Sequence, residues 1–124
     1  MRNLILIFFM FLAGAIVQQL LPWWSIWVLG IVIGFFIKPG GALKAFSIGF
    51  VGAALLWGAY AFWLNWQNGG IMATRIGTLF GGLNPGSLLV ITALFGGIFG
   101  GLGTLCGYVG QSLFQRDLSA NRLK

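Results

Sequence analysis

Long apolar runs with no charged side chain in their interiors fill most of this chain, and that settles which solvent it can fold in. The only acidic residue is Asp117, near the C-terminus, and there is neither glutamate nor histidine. Charged residues make up 6% of the sequence and hydrophobic ones 59%. A soluble domain carries about 25% charged residues because water must be met by something polar. So sparse a supply cannot cover a water-facing surface, whereas lipid asks for none. The reading is an all-α integral membrane protein, a single membrane domain over residues 1–124.

Crossing about 30 Å of hydrocarbon takes roughly 20 apolar residues in a helix. Four candidates are present: Leu4 to Leu21, Trp23 to Ile37, Ala42 to Leu64 and Pro85 to Phe114, followed by a short tail over 115–124. Pro22 and the Lys38-Pro39-Gly40-Gly41 run punctuate the first three. Asn84 before Pro85 has the layout of a capped helix start. Barrel strands would alternate polar and apolar residues; these runs are apolar all round, so helices are expected. The second run is short for a full crossing, and a re-entrant hairpin is the alternative there. Met1-Arg2-Asn3, the following apolar run and Ala13-Gly14-Ala15 resemble a signal peptide in layout. Apolar residues continue past the triplet through Leu21, so the segment reads as a first span that also serves as the insertion signal.

Orientation follows from the cations. With the N-terminus inside, Arg2, Lys38, Lys44, Arg116, Arg122 and Lys124 all fall on the cytoplasmic side and only Arg75 falls outside. Cytoplasmic loops are enriched in Lys and Arg, so both termini are expected in the cytoplasm, with the inner (plasma) membrane of a bacterium as the expected location. The net charge of +6 does not indicate nucleic acid, because the cations are scattered among apolar runs and form no stripe.

Trp23, Trp24, Trp27, Trp63 and Trp66 all fall at the expected outer interface, where indole rings favour headgroup level. In the outer connection, Ile71 to Phe80 reads as a short amphipathic helix lying on the leaflet, with Ile71, Met72, Ile76, Leu79 and Phe80 on one half. Arg75, at the edge of that half, would reach a lipid phosphate. Arg75, Trp23, Trp24, Trp63 and Trp66 are therefore the expected headgroup residues.

Glycine is 21 of 124 residues, and its placement is patterned. Gly96, Gly100, Gly103, Gly107 and Gly110 recur at steps of four and three, on one helical face, and Gly30 and Gly34 stand four apart in the second run. Lipid gives helices no hydrophobic reason to associate, so small residues that allow backbones to approach supply the contact. These seven glycines are the expected packing surface. It can serve the chain's own bundle, a second copy or larger partner, or a groove for a lipid tail or carotenoid-like molecule.

The inventory also argues against chemistry. Ion-coupled transport normally needs an ionisable group within the membrane, and the interiors of these runs have none. One cysteine, Cys106, without histidine makes no convincing zinc or haem site, and Tyr60 and Tyr108 lack an acid–base partner. No cofactor or enzymatic activity is expected. The expected partners are membrane lipids together with other membrane subunits or further copies of the chain. The sequence thus points to a non-catalytic accessory or assembly subunit of a membrane complex. The alternative is a self-associating pore lined by hydroxyls such as Thr92 and Thr104.

Overall fold

The computed structural model describes residues 1–124 as five helices without a strand: α1 (Arg2–Leu20), α2 (Ser25–Ile37), α3 (Ala42–Gln67), α4 (Ile71–Leu79) and α5 (Pro85–Arg122). Apolar side chains cover the outside, among them Phe36 at 73%, Trp66 at 76% and Leu79 at 84% exposure. A protein meeting water on all sides does not show that much continuous apolar surface.

Three helices, α1, α3 and α5, are long and apolar enough to cross a membrane. The second of the four expected runs, α2, is not among them. Its 13 residues reach about 20 Å, well short of the hydrocarbon thickness. The cause lies at its start, where Trp23 and Trp24 belong to a turn: Ser25 N–H donates to the Pro22 carbonyl and Trp27 N–H to that of Trp24 (both 3.0 Å). At the other end Lys38 closes α2 in the left-handed conformation (φ 50°) and the buried Pro39 follows.

Two further boundaries move. The third run continues a turn beyond Leu64 to Gln67, and the expected tail over 115–124 is mostly helix, since α5 is unbroken to Arg122. Hydropathy ends near Phe114, but Gln, Arg, Leu and Ala beyond it are good helix formers. The start of α5 is built as its residues suggest: Ser87 N–H donates to Asn84 Oδ1 (2.8 Å) and Pro85 occupies the first turn. The connection between α3 and α5 contains α4, and Gly81 and Gly82 turn the chain out of it with positive φ. Gly82 and Leu83 both donate to the Gly77 carbonyl (2.9 and 3.0 Å).

Helix order around the bundle is α1, α3, α5, α2, with α1 and α5 at opposite corners. Successive contacts give the directions. Met10 faces Gly52 and Gly14 faces Leu56, so α1 and α3 run parallel; Trp27 faces Gly103 and Ile31 faces Gly107, so α2 and α5 run parallel. Phe46 lies at Gly101 and Phe50 at Gly97, so α3 and α5 are antiparallel. One end of the bundle therefore holds Arg2, the Lys38–Gly41 turn, Lys44 and the C-terminal part of α5. The other end holds Gln18–Trp24, the end of α3 and α4.

Candidate functional site

The glycine face of α5 lies against the chain's own α2 and α3. Gly103 sits on the Trp27 carbonyl and Gly107 on that of Ile31, while across the same seam Gly30 and Gly34 sit on the backbone of Thr104. A Cβ built on Gly30 would stand 2.9 Å from Thr104 N, and one on Gly107 2.8 Å from Phe35 N. Only glycine at all four positions lets the two backbones approach this closely. Towards α3, Gly100 meets the Gly49 backbone and Ala53, and Gly96 is covered by the Trp57 side chain, whose Cβ would stand 2.7 Å from one added at Gly96. Gly97 and Gly101 complete this side under Phe50 and Phe46. Gly110, expected at the end of the face, is exposed, with Phe35 Cδ2 3.9 Å from where its Cβ would be. Past Gly107 the backbones of α5 and α2 have separated, and only the Phe35 side chain still reaches across.

Hydroxyls in this interior are bonded locally. Thr104 Oγ1 donates to the Gly100 carbonyl and Thr92 Oγ1 to that of Leu88 (both 2.8 Å), one turn back in each case.

The expected headgroup residues share the end of the bundle opposite the termini. Trp23 and Trp24 lie in the α1–α2 turn, Trp63 and Trp66 on the last turns of α3, and Arg75 on α4, all exposed. Trp23 also leans edge-on against Phe99, with ring centroids 5.6 Å apart. Trp27 stands over Gly103 on the α2–α5 seam, and Trp57 is turned onto Gly96.

The short α2 has a consequence the spacing of residues gave no hint of. Because Ile26, in its first turn, packs at the level of Gly14 and Leu56, nothing from α2 fills the bundle nearer the end opposite the termini. An open cleft of about 320 Å³ remains there, lined by Gln18, Trp23, Trp57, Tyr60, Ala61, Leu64 and Thr92, of which Trp23, Tyr60 and Leu64 are exposed. A second lobe of about 230 Å³ adjoins it through Ala61, Leu64 and Thr92 and runs under α4 past Asn65 and Ile76. Four buried polar atoms in the chain have no hydrogen-bond partner: Gln18 Nε2, Ser25 Oγ, Trp57 Nε1 and Asn65 Oδ1. Gln18, Trp57 and Asn65 line the two lobes, and Ser25 begins the helix whose late start leaves the space. Orphaned polar groups are rare in native interiors and mark places where something else completes the bonding. No protein-family model, curated protein or solved structure matches this chain.

Proposed function

We propose that the chain is a single-orientation protein of a bacterial inner membrane that crosses it four times, both termini in the cytoplasm, and acts without catalysis as an accessory or assembly subunit. In this reading α2 is the fourth crossing. Pro22 to Trp24 at one end and the Lys38 side chain at the other make up its missing length at the two interfaces. The interfacial α4 then rests on the outer leaflet.

The observation that carries the subunit reading is the overhang of α5. Phe114 is the last residue of α5 with an aromatic neighbour on another helix, its ring 6.4 Å from that of Phe35. From Ser112 to Lys124 every residue is exposed, yet the helix runs on to Arg122. Extending a helix that is already nucleated costs little, and the exposed Leu113, Leu118 and Leu123 along this overhang offer a partner an apolar contact that the bundle does not use. The self-associating pore has less in its favour. The glycine face that would join its subunits is occupied by α2 and α3, and Thr92 and Thr104 are turned onto their own helix.

The test changes the overhang and leaves its cations alone. Leu118→Ser combined with Leu123→Ser should melt with the parent protein, since neither side chain touches the bundle. It should lose polypeptides that accompany the parent at fixed stoichiometry through two mild detergents. A parent that elutes alone in both, or a variant that keeps the same companions, contradicts the proposal. Ion flux from liposomes containing the protein should not exceed that from empty ones; a selective, saturable leak would favour the pore.

A further inference from the structure

We propose that the end of the bundle holding the termini binds one anionic phospholipid, its phosphate among Arg2, Lys38 and Lys44 and an acyl chain in the groove between α1 and α3. All three cations are exposed. Arg2 Nη2 lies 3.4 Å from where a Cβ would stand on Gly40, two residues past Lys38 in the α2–α3 turn. Met10 faces Gly52 and Gly14 faces Leu56, and the same register continued back to the start of α1 brings Arg2 level with Lys44. No acidic side chain offsets this group. Asp117 is the only one in the chain, and its helix stands at the corner opposite α1. Since Phe46 pairs with Gly101, Lys44 is near the level of Gly103, and Asp117 lies nearly four turns, about 20 Å, farther along α5. Like charges gathered in this way repel one another, and an anion set among them turns repulsion into attraction.

The groove below identifies what carries the anion. Leu4, Ile7, Phe8 and Phe11 of α1 and Leu55 of α3 line an open apolar groove of about 350 Å³. Its first residue, Leu4, follows Arg2 by two positions. Its last, Leu55, comes eleven residues after Lys44, close to three helical turns, so Lys44 and Leu55 share one face of α3. Lys44 therefore stands at the mouth of the groove. A ligand that meets both parts is negative at one end and apolar along the rest, which in a membrane is a phospholipid with an anionic headgroup. A free phosphate would leave the groove empty. Long basic side chains hold their charged heads at phosphate level while their stems lie on apolar surface, and clustered cations draw anionic lipids. The opposite end has only Arg75. The site is the same whichever leaflet this end meets.

The first experiment uses the unaltered protein, reconstituted into nanodiscs of equal parts phosphatidylglycerol and phosphatidylcholine with matched acyl chains. Lipid retained after transfer to mild detergent is counted by native mass spectrometry. One phosphatidylglycerol per protein, retained at least about fivefold over phosphatidylcholine, is the expected result for three partly screened charge contacts acting together. Inorganic phosphate at millimolar concentration should not displace it. In the second experiment Arg2→Gln combined with Lys44→Gln should bring the two lipids near parity. Leu55→Trp, which fills the groove and leaves every cation in place, should lower phosphatidylglycerol retention, while Arg75→Gln at the opposite end changes nothing. Equal retention of the two lipids by the unaltered protein overturns the proposal, as does displacement by inorganic phosphate or unchanged retention in either the double variant or Leu55→Trp. Since the first comparison involves no substitution, a variant that fails to fold does not obscure the outcome.

Discussion

The two ends of the bundle are built by opposite means. Toward the end that holds the termini, α2, α3 and α5 meet through Gly30, Gly34, Gly49, Gly100, Gly103 and Gly107, backbone against backbone. Toward the other end α2 is absent, the walls are tryptophan, tyrosine and glutamine, and an open cleft remains. Both halves face the same apolar solvent, so the hydrophobic effect does not distinguish them. The distinction comes from how closely the backbones meet. Where glycine permits contact within van der Waals distance, dispersion holds the helices together; where α2 has not yet begun, space is left between side chains. Close packing belongs to the first half and open space to the second.

The largest effect that would break this division is Gly34→Leu. Even its Cβ would strike the Thr104 carbonyl, which is backbone and cannot rotate away. A loss of about 3 kcal/mol is expected, at the upper end for overpacked interiors, read as a lowered melting temperature in detergent with normal membrane insertion. Next comes Gly103→Leu, which places four carbons against the Trp27 carbonyl. Its expected cost is about 1–2 kcal/mol, because leucine's better helix propensity returns somewhat under about 1 kcal/mol. Leu102→Phe, on the exposed side of the same turn, should be nearly silent.

Two smaller changes sharpen the contrast by raising stability. Ser25→Ala removes a buried hydroxyl with no partner and should stabilise by about 1 kcal/mol in a chemical-denaturation series. Gly110→Ala lies outside the packed face, with only an ordinary contact to Phe35, and should gain up to about 1 kcal/mol from helix propensity. A marked loss at Gly110 would mean that the glycine face continues to a partner beyond α2.

How far this was legible in the sequence varies by region. Helix ends marked by Pro22, Pro39 and Asn84-Pro85 could be read because those residues act locally. The glycine periodicity of α5 could be read as a packing face for the same reason. What fills that face was not legible: Trp57, Phe46 and Phe50 lie over Gly96, Gly101 and Gly97 only once α3 is set antiparallel to α5. The run beyond Phe114 looked like a tail because hydropathy reports the solvent and not the helix. The cleft was the least visible feature. It depends on α2 starting at Ser25 and not at Trp23, a difference of two residues decided by turn hydrogen bonds. Once known, Gln18 inside an apolar run is a signal that could have pointed to it.

In the proposed threading α2, although short, crosses the membrane and returns the chain so that both termini share one side. Single cysteines at Pro22, Ala42, Asn68 and Ser119, in a Cys106→Ser background, test it with a membrane-impermeant maleimide on intact spheroplasts. Labelling at Pro22 and Asn68, with Ala42 and Ser119 protected until the membrane is opened, is the predicted result. Labelling of Pro22 and Asn68 from opposite sides would show that α2 does not cross, and would contradict the account.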